Sequence, residues 1–271
     1  MSTKLVFSDI EIDKQLISTL DEEGIKEPTE IQEKAIPLLL DGEDVIAQSN
    51  TGTGKTLAFG IPIVQSIEEG TRDIEALVLV PTRELADQVT KEIKKISRYK
   101  KLKMTKVCGG ESPNIQKASI RRNPNLLIAT PGRLIDFIER GVVNLDWVKF
   151  LVIDEADRML DLGFMPDVER IVSKLPSNRQ TLFFSATIPP EIQNIASNFL
   201  NSPKKITVTP NMTAAETVQQ FLIRTKEEDW DKRDILRRLI IEQKVENALV
   251  CLLYTSPSPR DATLSRMASS G

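Results

Sequence analysis

The sequence contains no histidine and only two cysteines, Cys108 and Cys251. Without histidine, the chain can have neither histidine-based acid–base catalysis nor the common zinc sites that include histidine. Two cysteines so far apart predict no disulfide framework and no metal cluster, which favours a reducing compartment. No apolar run reaches the length of a membrane span, and the first residues lack the apolar core of a signal peptide. We therefore expect a cytoplasmic protein that has no membrane partner.

The sequence also lacks a strong charge of either sign. Its 36 basic and 39 acidic residues give a formal net charge of -3. This balance provides no bulk attraction to nucleic acid, so any nucleic-acid binding has to use local sites. Hydrophobic residues make up 40% of the chain and charged residues 28%, which is typical of a soluble globular protein. A chain of 271 residues can form one large or two small domains.

The most informative segment is the run AQSNTGTGKT at residues 47–56, which follows a short apolar stretch and precedes a potential helix. Glycines in such a turn let backbone N–H groups surround a phosphate chain at a helix N-terminus. Lys55 supplies charge for the outer phosphates, and the Thr56 hydroxyl can hold Mg²⁺. Ser49 stands where the first glycine of such loops is usual. The predicted phosphate-binding residues are Ser49, Thr51, Gly52, Thr53, Gly54, Lys55 and Thr56.

Short apolar runs recur along the chain, and a polar cluster follows each of them. The runs cover residues 76–80, 126–129, 150–153 and 181–184. Their alternation with helical segments predicts an α/β fold, in which helices cover both faces of a parallel sheet. In such sheets the ligand binds beyond the carboxyl ends of the strands. The polar clusters are therefore the candidate site.

Asp154 and Glu155 directly follow the apolar run at residues 150–153. In a protein with a phosphate-binding loop, a carboxylate at this place holds Mg²⁺ directly or through water. Glu155 is then positioned to orient or deprotonate an attacking water. A solvated helix start is the alternative, because carboxylates also suit helix N-termini. The loop upstream favours the chemical interpretation.

These motifs, in this order and spacing, resemble the DEAD-box ATP-dependent RNA helicases over residues 7–250, and the letters DEAD themselves stand at residues 154–157. The resemblance implies a RecA-like P-loop domain over residues 1–210, which includes the Q motif at residues 24–32. A linker at 211–216 and the truncated start of a second RecA-like domain at 217–250 would follow. In that second part the sequence predicts a strand at 217–223, a helix at 232–242 and the beginning of another strand at 248–250. The implied activity is hydrolysis of ATP, with Mg²⁺, to unwind short RNA duplexes or remodel RNA–protein complexes.

The resemblance also implies roles for single residues at the nucleotide. Gln32 lies in the first turn of a helix predicted at residues 29–40, where its amide is expected to be free to face a ligand. In the family's Q motif it would read the adenine edge, and Phe7 would pack near the base. The implied catalytic residues are Lys55, Asp154, Glu155, Ser185 and Thr187, with Thr56 and Asp154 as the metal ligands. Ser185 and Thr187 would couple ATP to RNA binding through Asp157.

Three further motifs match segments with which the family contacts RNA. Arg83 and Arg133 offer charge to phosphates, while glycines and helix starts offer backbone N–H groups. Such contacts carry no base sequence, so the expected partner is RNA of any sequence, told from DNA by its 2′-hydroxyls. Ribonucleoprotein partners are expected as well. The threonines and prolines also suit turns and helix caps, and we expect them to serve both purposes. The implied RNA-binding residues are Pro81, Thr82, Arg83, Gly109, Gly110, Thr130, Pro131, Gly132 and Arg133.

The basic stretch and the two tryptophans are interpreted as structural features rather than as parts of a binding site. A basic stretch between Lys91 and Lys106 could be an auxiliary nucleic-acid surface, but a solvated helix face explains it better. Trp147 and Trp230 are expected to be packing residues rather than platforms for stacked bases.

Residues 251–271 do not fit the family. The eleven residues 251–261 match one reading frame of a common transposase-type sequencing adapter, so we expect the tail to be non-native read-through. A natural Ser/Pro-rich disordered tail is the alternative. In the family, arginines of the second domain stabilise the charge of phosphoryl transfer, and the late motif that is rich in histidine and arginine does not occur here. The chain as written is expected to be a fragment that binds nucleotide weakly and does not unwind RNA.

Two rival functions stay open. A DNA-directed helicase or translocase has related motifs, although the Q motif and the DEAD sequence argue against it. ATPase stimulation by RNA and by DNA of equal length would separate the two. The second rival is a truncated single-domain RNA- and ATP-binding module without unwinding activity, which gains weight only if the tail is genuine.

Overall fold

The computed structural model describes residues 5–50, 52–208 and 232–245, together with residues 221, 248 and 250. The chain separates into two compact units, residues 1–212 and residues 213–271. The described part of the first unit contains a seven-stranded sheet. No helix of the described residues is both long enough and apolar enough to cross a membrane.

The strands of the first unit form one sheet in which every pairing is parallel. Their order across the sheet is β3-β4-β2-β5-β6-β1-β7, so the carboxyl ends of all strands lie along one edge. This arrangement confirms the predicted α/β fold. The strands are β1 Val45–Gln48, β2 Ala76–Leu79, β3 Met104–Val107, β4 Leu126–Ala129, β5 Phe150–Ile153, β6 Gln180–Ser185 and β7 Lys204–Thr207.

Helices cover both faces of the sheet. Successive strand residues belong to different hydrophobic clusters, as in β1, where Val45 and Ala47 join one cluster and Ile46 joins the other. This alternation follows from the two-residue period of a strand, and it explains why the buried strands are continuously apolar. A 3₁₀-helix, Phe7–Asp9, precedes the first α-helix. The helices of the first unit are α1 Lys14–Glu22, α2 Glu30–Leu40, α3 Lys55–Ser66, α4 Arg83–Ile96, α5 Pro113–Ile120, α6 Pro131–Glu139, α7 Ala156–Asp161, α8 Met165–Val172 and α9 Pro190–Phe199.

The two edge strands were not predicted from the sequence. β3 carries Lys106 and β7 carries two lysines, so neither shows the apolar run of the central strands. Edge strands are often charged, because a lysine on the exposed edge discourages pairing with another chain. The search for apolar runs therefore found the interior of the sheet and missed its borders.

The second unit is described mainly through one helix, α10 Lys232–Glu242, which coincides with a helix predicted from the sequence. The predicted strands at 217–223 and 248–250 are described only at Phe221, Ala248 and Val250, and none of these three residues lies in a strand. The predicted linker at 211–216 and the tail at 251–271 lie outside the described residues.

Candidate active site

The loop between β1 and α3 has the backbone geometry of a close-fitting turn. Gly52 and Gly54 have φ angles of +84° and +92°, in the left-handed region that side chains with a Cβ avoid. Gly54 directly precedes α3, so the unpaired N–H groups of the first turn of the helix open onto the loop. Thr51 of the predicted loop lies outside the described residues.

Ser49, which replaces the usual first glycine, has a structural function in this loop. Its side chain is buried, and its N–H donates a hydrogen bond to the carbonyl of Ser185 at 3.0 Å. The Thr53 hydroxyl donates to the Asn50 carbonyl at 2.9 Å and lies 3.3 Å from Ser49 Oγ. The backbone of Ser49 therefore links the loop to the carboxyl end of β6.

The Gln32 amide is only partly free to face a ligand, so the prediction of a free amide was wrong for one of its donors and one of its lone pairs. Its Nε2 donates to the carbonyl of Gly54 at 3.0 Å, and its Oε1 accepts the Thr29 N–H at 3.0 Å. The Thr29 hydroxyl in turn donates to the carbonyl of Thr53 at 2.8 Å. These contacts bury Gln32 to 1% exposure. The first turn of α2 is thus fastened to the loop, which sequence spacing alone could not reveal.

Phe7 is packed in the hydrophobic core of the first unit, with 3% of its surface exposed. The nearby cavity of about 400 Å³ is lined by residues of the same 3₁₀ segment and of α2, including Asp9, Ile10 and Glu33. The position of Phe7 beside a base remains a prediction.

Lys55 and Asp154 face each other in the interior of the site. Lys55 Nζ lies 3.6 Å from Asp154 Oδ1, and the two side chains are 6% and 3% exposed. This distance is short enough for an ion pair but longer than a normal hydrogen bond. No atom of the described residues accepts a hydrogen bond from Lys55 Nζ, although the group is buried. An ammonium in this state is poorly solvated and suits an anionic ligand.

Burial raises the pKa of Asp154 to about 6, since the Lys55 charge opposes the desolvation only in part and Glu155 adds to the rise. Glu155 itself has a left-handed backbone with φ +56° and precedes α7. Such a conformation is strained for a residue with a Cβ. The Glu155 N–H donates to Asp154 Oδ1 at 3.0 Å, and Arg158 Nη1 lies 3.2 Å from Glu155 Oε2. The two carboxylates are therefore held in fixed positions.

Asp157, Ser185 and Thr187 form one hydrogen-bonded group. Asp157 Oδ2 accepts the Thr187 N–H at 2.9 Å and the Thr187 hydroxyl at 3.0 Å. The Asp157 N–H donates to Ser185 Oγ at 3.2 Å, and that hydroxyl donates to the Thr187 carbonyl at 2.6 Å. Burial alone would raise the pKa of Asp157, but the hydrogen bonds from Thr187 outweigh it and lower the pKa. The group joins the first turn of α7 to the end of β6.

The motif after β2 meets the motif after β3. Thr82 caps α4, because its Oγ1 accepts the Leu85 N–H at 3.2 Å. Arg83 is exposed and lies beside Gly110. A Cβ added to Gly110 would be 3.7 Å from Arg83 Nη1. Pro81 is buried directly before this turn. The predicted capping function of Thr82 is thus observed.

The motif after β4 joins the same surface. Thr130 Oγ1 accepts the Gly109 N–H at 3.4 Å, and Arg133 Nη1 donates to the carbonyl of Glu111 at 3.2 Å. Pro131 and Gly132 open α6. Since β3, β4 and β2 are neighbours in the sheet, all three predicted RNA-contacting motifs lie at adjacent strand ends. Their contact with RNA remains a prediction.

A cavity of about 490 Å³ lies over the phosphate-binding loop. It includes three residues of α4 that the sequence did not suggest: Leu85, Gln88 and Glu92. The sequence contains one signal for these residues: they share a helical spacing on a helix that follows a strand end. Many amphipathic helices have the same spacing, so the signal does not indicate a cavity. The predicted residues that line the cavity are Gly52, Gly54, Lys55, Thr56, Asp154 and Glu155.

Half of the basic stretch is occupied by contacts within the chain. Lys106 illustrates this, because burial lowers its pKa but hydrogen bonds to Asp87 and Glu111 raise it above the ordinary value. The paired members are Lys95 with Glu92, Arg98 with Glu23, Lys106 with Asp87 and Glu111, and Lys100 with the carbonyls of residues 64, 65 and 67. Because α4 ends at Ile96, the interpretation as a helix surface holds only for Lys91, Lys94 and Lys95. The rest of the stretch lies in the connection to β3 and in β3 itself, where Lys106 is.

Trp147 is not a packing residue, contrary to the prediction. It is 62% exposed in the segment that leads into β5. This segment precedes the strand, whereas the candidate site lies beyond the strand ends. Trp230 lies outside the described residues.

The family profile described as "DEAD/DEAH box helicase" matches residues 29–195. The chain is 42% identical over 244 residues to the ATP-dependent RNA helicase CshA of Listeria monocytogenes, which covers 90% of this chain and 46% of that protein. It is also 42% identical over 246 residues to the DEAD-box ATP-dependent RNA helicase CshA of Bacillus subtilis, covering 91% of this chain and 49% of that protein. The chain thus spans about half the length of these curated relatives.

Solved structures agree with these relatives. A DEAD box protein from the hyperthermophile Methanococcus jannaschii superposes with a TM-score of 0.73 at 38% sequence identity, covering 76% of this chain and 57% of that one. A hypothetical ATP-dependent RNA helicase from Sulfolobus tokodaii gives a TM-score of 0.68 at 38% identity, covering 73% of this chain and 57% of that one. The RecA-like fold expected from the sequence is therefore confirmed, and the chain belongs to the DEAD/DEAH box helicase family.

Proposed function

We propose that the chain is the ATP-binding part of an RNA-dependent ATPase that separates short RNA duplexes or remodels RNA–protein complexes. The Lys55 ammonium carries this proposal, since it is 6% exposed at the start of α3 and has no hydrogen-bond partner among the described residues. A buried ammonium without a hydrogen-bond acceptor is costly. A polyphosphate at a helix N-terminus supplies both the charge and the acceptors that it needs.

The residues of the cavity fit ATP with Mg²⁺. The Thr56 hydroxyl and the Asp154 carboxylate are oxygen donors of the kind that Mg²⁺ binds, and both line the same cavity as Lys55. We assign them as the metal ligands. Bound ATP with Mg²⁺ supplies a phosphoryl group for transfer to water. We assign Glu155 to orient that water or accept its proton, with Arg158 holding the Glu155 carboxylate in place.

Adenine recognition is assigned to Gln32. With one amide hydrogen on Gly54 and one lone pair on the Thr29 N–H, the Gln32 amide keeps one donor and one acceptor. Those two remaining groups complement the donor and acceptor on the adenine edge. Because Gln32 is also hydrogen-bonded to the phosphate-binding loop, binding of the base would directly affect the position of that loop. Phe7 is proposed to pack near the base.

RNA is proposed to bind at the ends of β2, β3 and β4. Arg83 and Arg133 would hold phosphates there without reading base sequence. The hydrogen-bonded group of Asp157, Ser185 and Thr187 would couple this surface to the nucleotide, because it joins two neighbouring strand ends. We also propose ribonucleoprotein substrates. The low cysteine content supports a cytoplasmic location, because the cytoplasm keeps thiols reduced.

Binding of a fluorescent ATP analogue to the Lys55→Ala variant tests this function. We expect the affinity to fall at least about tenfold, because hydrogen bonds to charged groups contribute roughly 1.5–3 kcal/mol. Lys91→Ala is the matched control, since Lys91 is exposed on α4 away from the cavity. Unchanged affinity in Lys55→Ala contradicts the assignment. RNA and DNA oligonucleotides of equal length, compared as competitors for a labelled RNA, test the choice of nucleic acid.

A further inference from the structure

We propose that Gln88 and Glu92 of α4 form a second wall of the nucleotide site that holds water molecules bound to Mg²⁺. Glu92 then strengthens the dependence of nucleotide binding on the cation. The inference rests on the proposed function, because it assumes that the cavity over the phosphate-binding loop receives ATP or ADP with the metal.

The first support is the placement of the two side chains. Leu85, Gln88 and Glu92 are three and four residues apart, so they share one face of α4. All three line the cavity of about 490 Å³ that also contains Lys55 and Asp154. A helix that begins at the motif after β2 therefore contributes side chains to the cavity beside the end of β5.

The position of α4 is set by close packing on α3. Gly60 of α3 has no side chain, and a Cβ there would lie 3.4 Å from both Ile93 Cγ1 and Ile96 Cδ1 of α4. Ile93 and Ile96 are fully buried. Because α3 itself begins at Lys55, this contact holds the wall at a fixed distance from the phosphate-binding loop.

The second support is the charge of the cavity. Among the described lining residues, Glu92, Asp154 and Glu155 carry carboxylates, and Lys55 is the single cation. Each of these carboxylates already has a cation beside it, because Lys55 pairs with Asp154, Arg158 with Glu155 and Lys95 with Glu92. A polyphosphate without a counterion therefore meets a repulsion that these pairs reduce but do not remove. A divalent cation offsets the repulsion that is left, so the carboxylates favour the metal complex over the free nucleotide. The buried Lys55 ammonium, which has no hydrogen-bond acceptor among the described residues, independently supports a cavity arranged for an anion.

The third support is the chemistry of the metal. Mg²⁺ in nucleotide sites keeps several of its water molecules, and each of those waters needs hydrogen-bond acceptors. The Glu92 carboxylate and the Gln88 amide oxygen are such acceptors on the wall. The Lys95 ammonium lies 2.7 Å from Glu92 Oε1 and fixes the orientation of that carboxylate.

Equilibrium binding of a fluorescent ADP analogue to the whole chain, in excess Mg²⁺ and in EDTA, tests the proposal. For Glu92→Gln we expect about threefold weaker binding in Mg²⁺, the scale of a partly exposed charge interaction, and tighter binding in EDTA. The two shifts have opposite signs because the carboxylate attracts the cation but repels the phosphates. For Gln88→Ala we expect weaker binding in Mg²⁺ and no change in EDTA.

Glu84→Gln is the matched control, since Glu84 is an exposed carboxylate in the first turn of α4 and does not line the cavity. It should leave both affinities unchanged. A Glu92→Gln variant that shifts both affinities by the same factor, or neither, overturns the inference. If Lys55→Ala abolishes Mg²⁺-dependent binding while Glu92→Gln is silent, only this inference fails. If the unmodified chain binds no nucleotide in either condition, the proposed function fails with it.

Discussion

The Gln32 amide donates a hydrogen bond to the Gly54 carbonyl at 3.0 Å, which ties the first turn of α2 to the loop before α3. A Cβ on Gly54 would lie 2.5 Å from Gln32 Nε2 and 2.9 Å from Thr29 Oγ1. The contact between the two segments therefore depends on the absence of a side chain at position 54. The same glycine also has a left-handed backbone, so two separate requirements select it.

Gly54→Ala should separate these two requirements when it is compared with Gly42→Ala. Both glycines have positive φ, but a Cβ on Gly42 meets no atom within 4 Å. We expect Gly42→Ala to cost about 1–2 kcal/mol from backbone strain alone. Gly54→Ala should cost more and should also lower nucleotide affinity, because Gln32 must move. Urea denaturation and nucleotide titration measure the two effects, and equal behaviour of the variants would contradict the role of the Gln32 contact.

Asp157→Asn should change how stability depends on pH. The folded-state pKa of Asp157 is lowered from 3.8, so the ionised carboxylate stabilises the fold above that pH. The contribution is lost as the pH falls through the lower folded-state value. At pH 7 we expect the variant to be about 1 kcal/mol less stable, since the hydrogen bonds from Thr187 lose their charged acceptor and the site is partly exposed.

Urea denaturation at pH 7 and at about pH 3 measures this difference in the free energy of unfolding, which should shrink at the lower pH. Asp161→Asn is the control, because Asp161 lies on the same helix and is exposed. A deficit that is independent of pH would refute the role of the ionised carboxylate.

Trp147→Ala should leave the free energy of unfolding within about 0.5 kcal/mol, as is usual for surface positions. Phe184→Ala, by contrast, should cost about 3–5 kcal/mol, because Phe184 is fully buried and its ring lies 5.6 Å from that of Phe59. In a Trp230→Phe variant, Trp147 is the single remaining tryptophan of the sequence. Its fluorescence should be quenched by acrylamide nearly as strongly as free tryptophan, and a protected signal would contradict the exposure of this residue.

The source gene should continue into a second RecA-like domain after Val250. This prediction rests on the match of residues 251–261 to a sequencing adapter. Sequencing of an independent, adapter-free amplicon across the codons for residues 245–275 tests whether the reading frame continues. A confirmed tail followed by a stop codon would instead favour a single-domain binding module.

The central strands could be predicted because a parallel strand covered on both faces must be apolar throughout. β2, β4 and β5 appear in the sequence as runs of four such residues. The edge strands β3 and β7 could not be predicted in this way, since lysines interrupt them. Their assignment depends on pairing with β4 and β1, which involves residues distant in the sequence.

The sequence by itself determined the α/β fold, the strand-end position of the polar motifs and the family. These properties follow from local composition, since hydrophobic runs specify buried strands and glycine permits a turn with positive φ. Only the tertiary structure decided that Gln32 is bonded to Gly54, that Trp147 is exposed and that Gln88 and Glu92 reach the cavity. The positions of Gln32, Gln88 and Glu92 depend on the packing of one helix against another segment of the chain, and such packing is set by many residues at once.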